Sequence, residues 1–191
     1  MINVPAFIAA AEKLGGCNGA DLYRLLLFTG MRKSEGMRLQ WEHVDLTADT
    51  LLIPKTKNGT PLELPLSVQV KNILLSRWNI WNRPSTGPVF PSRSKTGHTV
   101  QDGYIAGKVK MFIPGFSAHW LRSAFTTAAV SAKIDGMVID RITNHAAKGI
   151  TARHYYKPTV GDLREPMQKI ADKIEEHALC CRLHPDLKHV V

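Results

Sequence analysis

Apolar residues along this chain recur mostly at helical spacing, and in one place the spacing changes. Between residues 43 and 67, Leu51 to Ile53 form a short apolar run, and Leu62, Leu64 and Leu66 then alternate. A period of two set among segments of period 3.6 confines the fold to a mainly α domain with a small antiparallel β-hairpin or sheet (α+β). The Asn58-Gly59 pair between the two runs predicts a tight hairpin turn joining two strands.

Helices are expected on both sides of the hairpin. One covers 5–14. A second starts at Asp21 as N-cap, buries Leu22, Leu25, Leu26 and Phe28, and stops at Gly30. A third runs from about Arg32 to Leu39, and a fourth over 67–80. Residues 83–97 read as a Pro/Gly/Ser loop with one apolar piece at Val89 and Phe90. Ser117 caps a helix whose core stripe is Leu121, Ala124, Phe125 and Ala128. The segment "MVIDRITNHAAKG" gives a shorter helix. "DLREPMQKIADKIEEHAL" gives an amphipathic terminal one, with Met167, Ile170 and Ile174 on one side. That stripe can dock on the chain's own core or on a neighbouring subunit.

With 191 residues, the chain suffices for one domain with a sizeable core. No apolar run reaches 18 residues, so no membrane-spanning helix is expected. The first residues, "MINVPAFIAAAEKLGG", read as an amphipathic helix and not as a secretory signal. Cys17, Cys180 and Cys181 suggest no disulfide framework, which fits a reducing, cytoplasmic setting. Cys180 and Cys181 with His184 and His189 lack the usual ligand spacing for zinc, so no metal and no cofactor are expected. The net charge of +9 points to a polyanionic partner, with nucleic acid favoured over a membrane because the charge is spread along the chain.

Five polar groups break the apolar logic. Arg32 and Glu35 lie three apart after a Gly turn, which alone suggests a local ion pair. Lys57 sits beside the Asn-Gly turn, with Lys55 close by; it is either solvated or aimed into a cleft. His119 and Arg122 share a helical face and suit a phosphate, or else form a basic surface patch. His145 lies at a helix-to-loop junction, where a capping histidine is the ordinary reading. Tyr155 and Tyr156 are adjacent in "TARHYYKP", as rim aromatics or with one as nucleophile.

In this order the pieces "TGMRKSE", "KTKNGTPLELPL", "HWLR", "NH" and "HYY" resemble the catalytic domain of the tyrosine recombinases, the phage-type integrases. They are similar to that family's arginine with a following acid, hairpin lysine, His-x-x-Arg, second histidine and terminal tyrosine. Leu39, Trp41 and Asp45 in "MRLQWEHVDL" also fit. The resemblance covers roughly residues 5–175. Two departures stand out: Asn144 replaces the usual glycine before the second histidine, and the spacing from His145 to Tyr155 is one residue longer than the commonest form.

The resemblance implies site-specific DNA recombination or integration for a prophage or mobile element, with double-stranded DNA as partner and a DNA-bound tetramer of recombinase subunits. It implies a catalytic set of Arg32, Lys57, His119, Arg122, His145 and Tyr155. The arginines clamp the phosphate, Lys57 protonates the leaving oxygen, Glu35 supports and Tyr155 attacks, with Tyr156 as the alternative nucleophile. A 3′-phosphotyrosyl link would conserve the bond energy, so neither metal nor ATP is called for. It also implies a catalytic domain over 1–178, a flexible tail over 179–191, and a separate N-terminal core-binding domain lacking from this chain. The isolated domain is expected to be monomeric. The competing functions are a type IB topoisomerase-like nicking and resealing enzyme, a non-catalytic DNA-binding module derived from the family, and an RNA- or membrane-binding basic domain. The last leaves the joint occurrence of His119, Arg122, His145 and Tyr155 without explanation.

Overall fold

The computed structural model describes residues 3–14, 18–56, 58–91, 102–145 and 158–183; at the ends of helices next to the gaps, some side chains are left out. Helices are α1 (Val4–Lys13), α2 (Asn18–Thr29), α3 (Lys33–Met37), α4 (Val68–Ile80), α5 (Asp102–Phe112), α6 (Ala118–Ser131), α7 (Gly136–Ile142) and α8 (Val160–Leu183). Strands β1 (Val44–Asp45), β2 (Thr50–Ile53) and β3 (Leu62–Pro65) form one antiparallel sheet in that order. The expected mainly α architecture with a small antiparallel sheet is the one observed. Among the described residues, no helix is long and apolar enough to cross a membrane.

Helix α2 is the central post. Leu22, Tyr23, Leu25, Leu26, Leu27 and Phe28 are all buried, so it is apolar nearly all round and has no single buried side. It packs against α1, α4, α5, α6 and α8. It also begins earlier than the sequence predicts, at Asn18, and Asp21 is not its cap. The Asp21 carboxylate instead meets buried Arg77 of α4 at 3.0 Å. Arg77 also donates from Nε to the Val89 carbonyl, 3.0 Å away, and lies over the Phe90 ring. The short apolar piece at Val89 and Phe90 is thereby locked into the core. Tyr23 packs edge-on against Phe116, which stacks on Phe7, and so joins α2, α1 and the approach to α6.

The hairpin differs from its sequence reading. A two-residue Asn58-Gly59 turn would pair Lys57 with Thr60. The observed register places Ile53 opposite Leu62, and a longer loop intervenes. Pro54 and Pro61 explain this, because neither has an N–H to extend the ladder. Helix α5 is absent from the sequence reading altogether. Among its described side chains Val109 alone is buried, too weak a stripe to register as a period.

Ser117 caps α6 as expected, and Leu121, Ala124 and Phe125 are buried. At α8, Thr159 and Asp162 satisfy each other: the Asp162 carboxylate accepts from Thr159 N at 2.8 Å and Thr159 Oγ1 at 2.7 Å. The α8 stripe of Leu163, Met167, Ile170, Ala171 and Ile174 is buried against α1, α6 and β3 of the same chain. Of the two docking surfaces the sequence leaves open, the stripe occupies its own core. The helix continues to Leu183, beyond the domain boundary expected at 178.

Candidate active site

The short helix α3 has Arg32 as its N-cap, with extended backbone angles of −70° and 147°. Arg32 and Glu35 therefore do not meet as two residues on a helical face. The Glu35 carboxylate reaches back to cap the helix, accepting from Arg32 N at 2.8 Å, and pairs with Arg32 Nη1 at 3.0 Å. Glu35 is buried, whereas the Arg32 guanidinium remains partly open to solvent. Its orientation is thus set by its own helix start.

Arg122 projects from the first turns of α6 and is 8% exposed, which rules out a solvated surface patch. Its Nη1 donates to the Gly30 carbonyl at 2.6 Å, and its Nη2 donates to the Thr143 carbonyl. Gly30 ends α2 with φ of +65°, a left-handed geometry that suits glycine. Burial, and secondarily the nearby Arg32 charge, push the Arg122 pKa down to about 10, with Glu35 opposing that shift. The group stays cationic at neutral pH. Two guanidiniums held close against their mutual repulsion form a site already organised for an anion.

The end of α7 supplies the other anchors. Asn144 has φ of +49°, His145 N donates to Asp140 O at 2.8 Å, and Asn144 N donates to Arg141 O at 3.2 Å. These are the two bonds of a Schellman motif, with Asn144 as its left-handed residue. The same geometry accounts for Asn where the family usually has Gly, since both tolerate that conformation. The carbonyls beyond the motif face outward. That of Thr143 takes Arg122, and that of Asn144 takes Arg32 Nη2 at 3.3 Å and Asn58 Nδ2 at 2.8 Å. A helix C-terminus carries partial negative charge, which favours holding both arginines there.

His119 is exposed in the first turn of α6. It lines a cleft of about 590 Å³ together with Tyr23, Arg32, Lys33, Lys110 and Arg122. His145 lies beside the Asn144 anchor, with Nδ1 3.2 Å from both Asp140 Oδ1 and Thr143 Oγ1. A proton on Nδ1 satisfies Asp140 and leaves Nε2 as the ring's acceptor. The structure therefore gathers Arg32, His119 and Arg122 on one cleft, with Glu35 behind Arg32 and His145 next to the shared anchor. Lys57, Tyr155 and Tyr156 lie outside the described residues, as do Cys17, His184, His189 and the side chains of Cys180 and Cys181.

Sequence reasoning missed Gly30, Asn58, Asp140, Thr143 and Asn144 as supports. Three of these act through backbone carbonyls, which carry no residue-type signal. Asn58 has a signal of its own, but it points to a turn.

Two guanidiniums and an imidazole on one basic cleft are chemically suited to an anion such as a phosphate. The phage integrase family model matches residues 3–161, and the chain belongs to this family of tyrosine recombinases. It is 25% identical over 169 residues to the prophage integrase IntF of Escherichia coli K12, covering 86% of this chain and 36% of that protein. It is 26% identical over 176 residues to the prophage integrase IntZ of the same strain, covering 90% and 43%. The chain thus spans less than half the length of these relatives. Among solved structures, the integrase of mycobacterium phage Brujita aligns with a TM-score of 0.57 at 24% identity, over 91% of this chain and 54% of that one. The XerH site-specific recombinase, solved bound to its difH substrate in a pre-cleavage complex, aligns at 0.60 and 18%, over 77% and 47%. These two likenesses speak to the fold.

Proposed function

We propose that this chain is the catalytic domain of a site-specific DNA recombinase of prophage or mobile-element type. The observation that carries the reading is the convergence of Arg32 and Arg122, distant in sequence, on one cleft with His119, both held by the end of α7.

In the proposed reaction, Arg32 and Arg122 donate to the non-bridging oxygens of a DNA phosphodiester as charge grows there. Glu35 holds Arg32 in place. The Oη of Tyr155 attacks phosphorus, its proton passing to a neighbouring base, with His145 and His119 as the groups able to take it or to hydrogen-bond the phosphoryl oxygens. A bond forms between Oη and phosphorus, and the bond from phosphorus to O5′ breaks. Lys57 gives a proton to the departing O5′. The products are a 3′-phosphotyrosyl link and a free 5′ hydroxyl. Rejoining by another 5′ hydroxyl reverses these steps without ATP or a metal ion. Exchange takes place in a DNA-bound tetramer, and the domain alone in solution is a monomer.

The test is a nicked DNA that traps the covalent product, run on a denaturing protein gel. A covalent band lost in Tyr155→Phe and kept in Tyr156→Phe is expected. Loss in Tyr156→Phe alone would move the nucleophile by one residue. A band that survives both substitutions would overturn the tyrosine mechanism.

A further inference from the structure

The loop between Ile53 and Leu62 has no ladder to hold it, because Pro54 and Pro61 end the pairing on both strands. Two bonds tie it internally: Thr56 Oγ1 donates to Thr60 O at 2.7 Å, and Gly59 N donates to Thr56 O at 3.1 Å. Its described tie to the rest of the molecule is Asn58 Nδ2 donating to Asn144 O at 2.8 Å, across 86 residues of sequence. That acceptor also receives Arg32 Nη2. One carbonyl at the negative end of α7 thus holds both a phosphate-facing arginine and the tip of the loop.

Asn58 is the covalent neighbour of Lys57. We propose that Asn58 is a positioning residue: its amide pins the β2–β3 loop to the end of α7 and so sets where Lys57 delivers its proton. This rests on the assignment of Lys57 as general acid made above. Proton transfer demands placement within hydrogen-bond reach of the leaving oxygen. A misplacement of about 1 Å can cost on the order of 100-fold in rate.

The experiment compares ordinary DNA with DNA whose scissile O5′ is replaced by sulfur. A thiolate leaves without being protonated, since a thiol has a pKa near 8.5. Wild type, Lys57→Ala, Asn58→Ala and Asn58→Asp are assayed for cleavage on both substrates, with DNA affinity and thermal melting measured alongside. Asn58→Asp keeps the shape and loses the donor. On ordinary DNA, both Asn58 variants should cleave roughly 10- to 100-fold slower than wild type, with affinity and melting unchanged. On the sulfur substrate, they and Lys57→Ala should return to near the wild-type rate. If Lys57→Ala is rescued and the Asn58 variants are not, Asn58 does not act through proton delivery and the proposal is overturned. If Lys57→Ala itself is not rescued, the general-acid assignment fails and the proposal falls with it.

Discussion

At the scale of single residues, two left-handed positions hold the arginines. A Cβ on Gly30 would lie 2.6 Å from Phe125 Cδ1, and the backbone there has φ of +65°. Gly30→Ala combines a left-handed penalty with overpacking of the ring, a loss of at least about 2 kcal/mol. A thermal melt should show a drop of several degrees, and the displaced carbonyl should weaken the hold on Arg122. Asn144 behaves differently. Among the described residues its buried Nδ2 meets no hydrogen-bond partner, and its function as an acceptor lies in the backbone. Asn144→Gly should therefore match or exceed wild-type stability in urea unfolding, whereas Asn144→Ala should lose about 1 kcal/mol. An equal loss in both would show that the side chain, not the backbone angle, matters.

At the scale of elements, α2 and α4 are joined by the Asp21–Arg77 pair as well as by apolar contacts. Arg77 is 1% exposed, and Arg24 stands 3.7 Å from Asp21 as a weaker, more open partner. Removing Arg77 alone leaves the buried Asp21 carboxylate with the more distant, more open Arg24 and takes a donor from the Val89 carbonyl, so Arg77→Met should cost roughly 3 kcal/mol in urea unfolding. The double variant Asp21→Leu/Arg77→Met should recover a substantial part of that loss, because no buried charge is then left unpaired. Simple additivity of the two single substitutions would show that the pair is not coupled. That α2 is a helix was legible in the sequence, but its partner was not: an Asp at a helix start looks like a cap until a guanidinium from another helix is seen beside it.

At the scale of the whole molecule, α8 closes the domain. Its stripe lies on α1, α6 and β3, and Ile170 is fully buried. Ile170→Ala should destabilise the isolated domain by roughly 2–5 kcal/mol in urea unfolding. A near-neutral result would mean that the helix docks elsewhere in solution. The +9 charge acts over the same scale, favouring a polyanion without choosing a sequence.

By itself, the sequence determined the fold class and the places where most helices start and stop. Those follow from local period, from the Ser117 cap, and from Gly30, all of which act within a few residues. It also contained the side chains that resemble the recombinase set, because guanidinium and imidazole groups announce their chemistry by type. Beyond the local Arg32–Glu35 pair, only the tertiary structure decided what holds Arg32 and Arg122: carbonyls of Gly30, Thr143 and Asn144, groups that every residue possesses and none advertises. It likewise decided that the Asn58 amide reaches α7, that Arg77 is buried, that weakly patterned α5 is a helix, and that the α8 stripe stays on its own core. Each of these depends on which distant segments meet, and that is a property of packing that no local pattern encodes.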